Sequence, residues 1–105
     1  MTQRTHPNQA DEHLRRALTT PSPASRIATE VLDRLTDRDR YDLPIGEHLL
    51  PVLIDASRVA LDGMPEPVRT QAHSAMYGVL TETFRDGDET CGEYAIRLRD
   101  AARRL

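Results

Sequence analysis

The chain has 105 residues, an aromatic content of 4% and a formal net charge of −3. This length accommodates one domain with a single modest core rather than two domains. The acidic balance argues against a general binder of nucleic acid or of anionic membranes.

The amino-acid composition indicates the type of source genome and the cellular compartment. All 14 basic residues are arginines, which is typical of a GC-rich bacterial or phage genome. The single cysteine, Cys91, excludes an intrachain disulfide and a Cys-based zinc cluster. The polar amino terminus lacks the apolar stretch of a signal peptide, and no segment approaches the ~20 apolar residues of a membrane span. We therefore expect a cytoplasmic protein without membrane association.

Two short helices are predicted in the first third of the chain. We expect residues 1–7 to be a flexible amino terminus and residues 8–105 to form a single helical domain. Asn8 can cap a helix over residues 8–19. Ser22 followed by Pro23 is typical of the start of a second helix, over residues 23–36.

The most apolar helix is predicted over residues 45–62, IGEHLLPVLIDASRVALD. At 100° per residue, an arc of roughly 80° contains Glu47, Pro51, Asp55, Arg58 and Asp62, and almost every other position is apolar. So narrow a polar stripe is typical of a central helix that neighbours pack on most sides. Pro51 removes the hydrogen bond to the carbonyl of Glu47. It predicts either a kink near Glu47, which we favour, or a separate short turn before Leu50.

Two further helices complete the predicted fold. One covers residues 66–85, where Gly78 would allow a close helix crossing. The other covers residues 91–104 and begins with a capping box formed by Thr90 and Glu93. No alternating apolar and polar run competes with these helices. The sequence therefore predicts an all-α fold, a compact bundle of about five helices around the helix at 45–62.

The polar positions of the predicted central helix are the first candidate site. We call them the polar seam: Glu47, His48, Asp55, Arg58 and Asp62. The seam is either a solvent-facing edge with ion pairs along it, which we favour, or a buried acid–base site. The four histidines lack His or acidic partners at the i,i+3 and i,i+4 spacings of helical metal sites, so we expect neither a metal nor another cofactor.

The last helix carries a second candidate, an interaction surface. Ile96 lies on its charged side with Arg99 and Arg103, which we call the Ile96 surface. Arginines around an apolar centre are typical of protein interfaces. We therefore expect self-association, as a homodimer, through this surface. Cys91 lies on the apolar stripe of the same helix and is interpreted as a core residue rather than a nucleophile.

These patterns favour a small protein–protein interaction module: an adaptor, an inhibitor or a regulatory subunit with no catalytic activity of its own. Two alternatives remain open. A DNA-binding transcriptional regulator would use helix 66–85 or the C-terminal arginines, although the net charge does not favour nucleic acid, and it would need Arg69 and those arginines on one face. A small helical enzyme would need Glu47, Asp55 and Arg58 to line a pocket.

Overall fold

The computed structural model describes residues 22–105. Four α-helices run through this part of the chain, which contains no strand: α1 (Pro23–Leu35), α2 (Ile45–Ala60), α3 (Glu66–Thr83) and α4 (Cys91–Ala102). The all-helical fold is thus confirmed over residues 22–105, with four helices there rather than about five. The predicted helix at 8–19 and the predicted flexible segment at 1–7 lie outside the described residues.

Local sequence signals explain where the helices begin and end. Ser22 Oγ accepts a hydrogen bond from the Ser25 N–H (3.1 Å), and Pro23 occupies the first helical position of α1. One half of the predicted capping box is present at α4, where the Glu93 N–H donates to Thr90 Oγ1 (3.1 Å). The Glu93 carboxylate accepts from the Thr90 hydroxyl (3.0 Å). Gly63 has φ 76°, the left-handed conformation that favours glycine after a helix.

The central helix is α1, not the helix at 45–62 as predicted. α1 packs against each of the other three helices, whereas α2 packs mainly against α1. Ile27, Val31 and Leu35 of α1 are fully buried. On α2, by contrast, Leu50, Ile54 and Val59 are more than half exposed. The apolar composition of α2 therefore does not reflect burial on most sides, because the described part of the chain supplies neighbours for only part of its circumference.

The core is built mainly from small aliphatic side chains, as the composition predicts, with one buried ring. Tyr94 is the largest fully buried side chain, and its ring makes an edge contact with Phe84, with ring centroids 6.3 Å apart. A Cβ added at Gly78 would meet nothing within 4 Å, so the predicted close helix crossing there is wrong. Pro51 lies inside a single continuous helix.

The loop between α1 and α2 pairs with the loop between α3 and α4. The N–H groups of Ile45 and Gly46, at the start of α2, donate to the carbonyls of Glu89 and Gly87 (2.7 and 2.9 Å). Reciprocally, the N–H groups at the start of α4 donate to carbonyls in the loop before α2, Cys91 to Leu43 (2.8 Å) and Gly92 to Tyr41 (2.9 Å). An antiparallel bridge joins Pro44 and Thr90 between them. This loop junction (residues 41–46 and 87–92) satisfies amide groups that helix starts otherwise leave unpaired.

The loop junction joins two helix–loop–helix units of similar layout. Helix α1, a loop and α2 form one helix–loop–helix unit, and α3, a loop and α4 form a second. Both loops contain an aspartate whose side chain accepts the amide of a second aspartate two residues on, Asp37 with Asp39 and Asp86 with Asp88. The sequence contains no repeat that predicts this pairing. Among the described helices, none is long and apolar enough to cross a membrane.

Candidate functional site

An open groove separates α2 from α3. Every other pair of helices packs together, but these two barely approach each other. Two adjoining cavities of about 500 and 490 Å³ fill the space, and both are lined by Leu50, Leu53 and Tyr77. We call this continuous surface the α2–α3 groove.

One end of the α2–α3 groove is almost entirely apolar. It is lined by Gly46, Leu49, Leu50, Leu53, Tyr77, Leu80, Thr81 and Phe84. Leu53 and Leu80 are buried and form its floor. Leu50 (58% exposed) on one wall and Tyr77 (54% exposed) on the other present their side chains to solvent, as does Ile54 nearby. Exposed large apolar side chains on both walls make this a patch rather than a scatter of single residues.

The other end of the groove is mixed, with polar and charged side chains around the buried Leu61. Its charged and polar lining consists of Ser57, Arg58, Asp62, Arg69 and His73. Arg58 and Arg69 are exposed, and neither forms an ion pair with any residue between 22 and 105. Ser57 is buried, and its Oγ has no hydrogen-bond partner among those residues. Such a group carries an uncompensated desolvation cost.

The structure divides the polar seam. Arg58 and Asp62 line the groove, whereas Glu47 and Asp55 are exposed outside it and His48 is partly buried. Over residues 22–105 the expected Asp55–Arg58 and Arg58–Asp62 ion pairs are absent. The acid–base alternative needed Glu47, Asp55 and Arg58 in one pocket, and the groove contains only Arg58 of the three.

The Ile96 surface has a different character from the groove. Ile96 is 63% exposed and lines an open cavity of about 810 Å³ with Arg99 and Arg103. The remaining lining is mostly charged: Glu82, Arg85, Arg97, Asp100 and Arg104 are present with Thr83 and Ala101. Ion pairs join Arg104 to Glu82 (2.9 Å) and Arg103 to Asp100 (3.7 Å), so Arg104 pairs across to α3 and not with the acid four residues before it on α4. Arg69 lines the groove instead, so the arginines required by the DNA-binding alternative lie at two separate sites.

A partly buried polar cluster joins α3 to α4 and has a structural role. Arg97 forms an ion pair with Glu89, not with Glu93 as expected from helical spacing, and donates to the Thr83 carbonyl (3.0 Å). The Thr83 hydroxyl is hydrogen-bonded to the Tyr94 hydroxyl (2.7 Å). Burial raises the pKa of Tyr94, and the hydrogen bond with Glu89 raises the pKa of Arg97. The guanidinium lies 5.7 Å from the centre of the Tyr94 ring.

Neither cysteine nor metal chemistry is supported in the described part of the chain. The Cys91 side chain is fully buried, and burial raises the pKa of its thiol, which keeps it in the unreactive protonated form. No group of three or more histidine, cysteine or acidic side chains between residues 22 and 105 is placed to hold a metal ion.

The groove is the feature that sequence reasoning missed. Its walls come from residues that fall beside the core stripes of their helices, Leu50 and Ile54 on α2 and Tyr77 and Phe84 on α3. One signal was available. Helix 45–62 is apolar around most of its circumference, and a chain this short has few elements with which to cover it. Comparison with known proteins finds no matching family model, no matching curated protein and no matching solved structure.

Proposed function

We propose that the protein is a protein–protein interaction module without catalytic activity, and that the α2–α3 groove is its binding surface. The observation that carries the proposal is the presence of exposed large apolar side chains on both walls of an open groove: Leu50, Ile54, Tyr77 and Phe84. Exposed contiguous apolar surface has a free-energy cost in water that a partner relieves on binding.

The groove's shape favours a helix as the occupant. The wall formed by α3 extends from Arg69 to Phe84, which at 1.5 Å per residue is about 22 Å. A partner helix of about four turns has the same length. Helix-in-groove binding uses apolar anchors at i, i+3, i+4 and i+7, which match a row of exposed side chains on two flanking helices. In this mode the partner helix lies between α2 and α3 and completes a helical bundle.

Two isoleucines provide a matched test of the binding surface. Ile54 and Ile96 are exposed to similar extents, 52% and 63%, but only Ile54 lines the groove. We would select binders from a displayed library of 16-residue helical peptides and measure their affinities by fluorescence anisotropy. Ile54→Asp should weaken binding at least tenfold, because it places a charge in the apolar contact. Ile96→Asp should leave the affinity unchanged.

Folding of both variants is checked by circular dichroism and denaturant unfolding. Since each substitution replaces an exposed side chain, both should retain helix content and lose little stability. Selected peptides whose affinity is insensitive to Ile54→Asp, or equally sensitive to Ile96→Asp, would contradict the assignment of the groove as the binding surface.

Homodimerisation through the Ile96 surface remains a separate proposal. Its support is that Ile96 is the most exposed of the large apolar side chains in the described part of the chain, within an arginine-rich rim. Light scattering at tens of micromolar should give a dimer mass for the unsubstituted protein and a monomer mass for Ile96→Asp. A monomer mass for the unsubstituted protein would remove the proposal, and so would a dimer that Ile96→Asp leaves intact.

A further inference from the structure

We infer that the partner helix is acidic at one end: it places an aspartate or glutamate against Arg58 and Arg69, next to an apolar stripe that lies along the rest of the groove. This inference rests on the proposed function and goes beyond it, because it specifies the chemistry and the register of the partner. It follows from the difference between the two ends of the groove.

Charge is the first argument. The chain as a whole is acidic, with a formal net charge of −3. The polar end of the groove reverses this balance, since Arg58, Arg69 and His73 accompany only one carboxylate, Asp62. A partner carboxylate between the two guanidinium groups would form charge-assisted hydrogen bonds, for which arginine is well suited.

The absence of ion pairs at Arg58 and Arg69 is the second argument. Four of the eleven described arginines, Arg34, Arg97, Arg103 and Arg104, form ion pairs, on α1 or on the α3–α4 side of the molecule, and the other seven form none within the described residues. Arg58 and Arg69 approach no carboxylate of residues 22–105 within ion-pair distance, although both line one cavity. The groove therefore contains cationic hydrogen-bond donors that the described fold itself does not use.

Ser57 is an independent third observation. The hydroxyls of Thr29 and Thr83, within helices, and of Thr36, at a helix end, donate to the carbonyl four residues earlier at 3.0, 2.8 and 2.7 Å. Ser57 is more than nine-tenths buried, and its Oγ has no such bond and no other partner among the described residues. It lines the charged end of the groove, four residues after Leu53, which lines both ends. A partner carboxylate at this position would accept the hydroxyl hydrogen after rotation of the serine side chain.

The test is a selection with charge reversal. The 16-residue helical library is selected against the full-length protein and, in parallel, against the Arg58→Glu/Arg69→Glu variant. The unsubstituted protein should enrich Asp or Glu at one end of an apolar stripe. The double variant should enrich Lys or Arg at the same positions and should bind the original acidic peptides at least tenfold more weakly. Arg99→Glu/Arg103→Glu on the Ile96 surface is the matched control and should select the same peptides as the unsubstituted protein.

The outcomes separate this inference from the proposed function. Peptides that require Ile54 but show no acidic enrichment would overturn the inference and leave the groove as a binding surface. Peptides that bind independently of Ile54 would overturn both. Weaker binding by the unsubstituted protein in high salt, with the loss confined to the acidic peptides, would support the inference.

Two other occupants are tested with the same reagents. If residues 8–19 of the chain itself filled the groove, the full-length Leu14→Glu/Leu18→Glu variant would bind the selected acidic peptide at least tenfold more tightly. If a second copy filled it, a dimer mass would be lost in Ile54→Asp and retained in Ile96→Asp. Either result would overturn the inference of an acidic partner helix. An unchanged peptide affinity in Leu14→Glu/Leu18→Glu and an unchanged mass in Ile54→Asp would support it.

Discussion

The loop junction and the α2–α3 groove lie at neighbouring places in the fold and satisfy their chemical groups in opposite ways. At the junction, the first two backbone amides of α2 and the first two of α4 donate to carbonyls in the opposite loop. In the groove, large apolar side chains are exposed, a buried hydroxyl has no partner in the described structure, and two arginines form no ion pair there. The comparison shows polar groups satisfied within the fold at the junction and left without internal partners in the groove.

The junction also determines where the groove lies. Gly46 in the first turn of α2 is so close to Gly87 that a Cβ there would be 2.9 Å from the Gly87 Cα. This contact fixes the start of α2 beside the loop that follows α3, and Gly46 and Phe84 line the same end of the groove. From that end the two helices run without packing against each other. The groove therefore has the close backbone contact of the junction at one end and opens from there.

The largest expected contrast is between two isoleucines. Ile27 of α1 is fully buried where all the other helices meet, so Ile27→Ala should lower the free energy of unfolding by about 2–5 kcal/mol through loss of buried surface and creation of a cavity. Ile54→Ala in the groove should lower it by less than about 1 kcal/mol, because half of that side chain is already in water. Urea unfolding followed by circular dichroism measures both.

The opposite order of the two stability losses would contradict the contrast between a buried core and an open groove. A larger loss for Ile54→Ala would mean that the groove wall is covered in the free protein, and it would count against an open binding surface.

Two glycines give the next contrast. Gly46→Ala should cost about 1–3 kcal/mol of stability, since its Cβ would overlap the backbone of Gly87, which cannot move without disturbing the junction. Gly78→Ala is the matched control: the position is inside α3 and has open space around it, so alanine should stabilise the helix by up to about 1 kcal/mol. Thermal unfolding of the two variants should shift the midpoint in opposite directions. A neutral Gly46→Ala would show that the loops separate easily.

A smaller loss is expected from Tyr94→Phe, which removes the hydroxyl bonded to Thr83 and leaves the ring in the core. The cost should be about 0.5–1.5 kcal/mol, the net value of one buried hydrogen bond. The pKa of Tyr94 is raised by burial, so its contribution is present below the unfolded pKa and is lost as the pH rises through the folded value. Denaturant melts at increasing alkaline pH should show this loss in the unsubstituted protein and a smaller one in Tyr94→Phe.

Much of the fold could be predicted from local sequence, for physical reasons that particular residues illustrate. Ser22, Pro23 and Thr90 act on amides within three residues, so the helix starts that they predict are confirmed. The role of α2 could not be predicted, because periodicity reports how apolar each face is and not whether another helix covers it. Arg97 and Arg104 pair with Glu89 and Glu82, not with the acids four residues earlier, because the alternative partners come from tertiary packing.

The candidate site was predictable only in pieces. Arg58 and Asp62 were identified as parts of a polar seam, but Arg69, His73 and Tyr77 come from another helix and reach the same groove through the loop junction. The spacing of residues along the chain does not predict that these side chains of α2 and α3 line the same groove. The loop pairing rests on backbone amides and carbonyls, which every residue except proline possesses, so side-chain patterns do not reveal it.

The smallest expected effect has the opposite sign. Ser57→Ala should raise the stability of the free protein by about 0.5 kcal/mol, because it removes a buried hydroxyl without a partner in the described structure and adds a better helix former. Ser74→Ala, at an exposed position of α3, isolates the helix-propensity gain and should stabilise less.

Peptide binding should show the opposite effect: Ser57→Ala should weaken binding of the acidic peptides severalfold, and Ser74→Ala should leave it unchanged. A substitution that stabilises the free protein and weakens binding is expected where a group is kept for a ligand rather than for the fold. If Ser57→Ala instead destabilised the protein more than Ser74→Ala, the hydroxyl would have an internal partner and would no longer distinguish the groove from the junction.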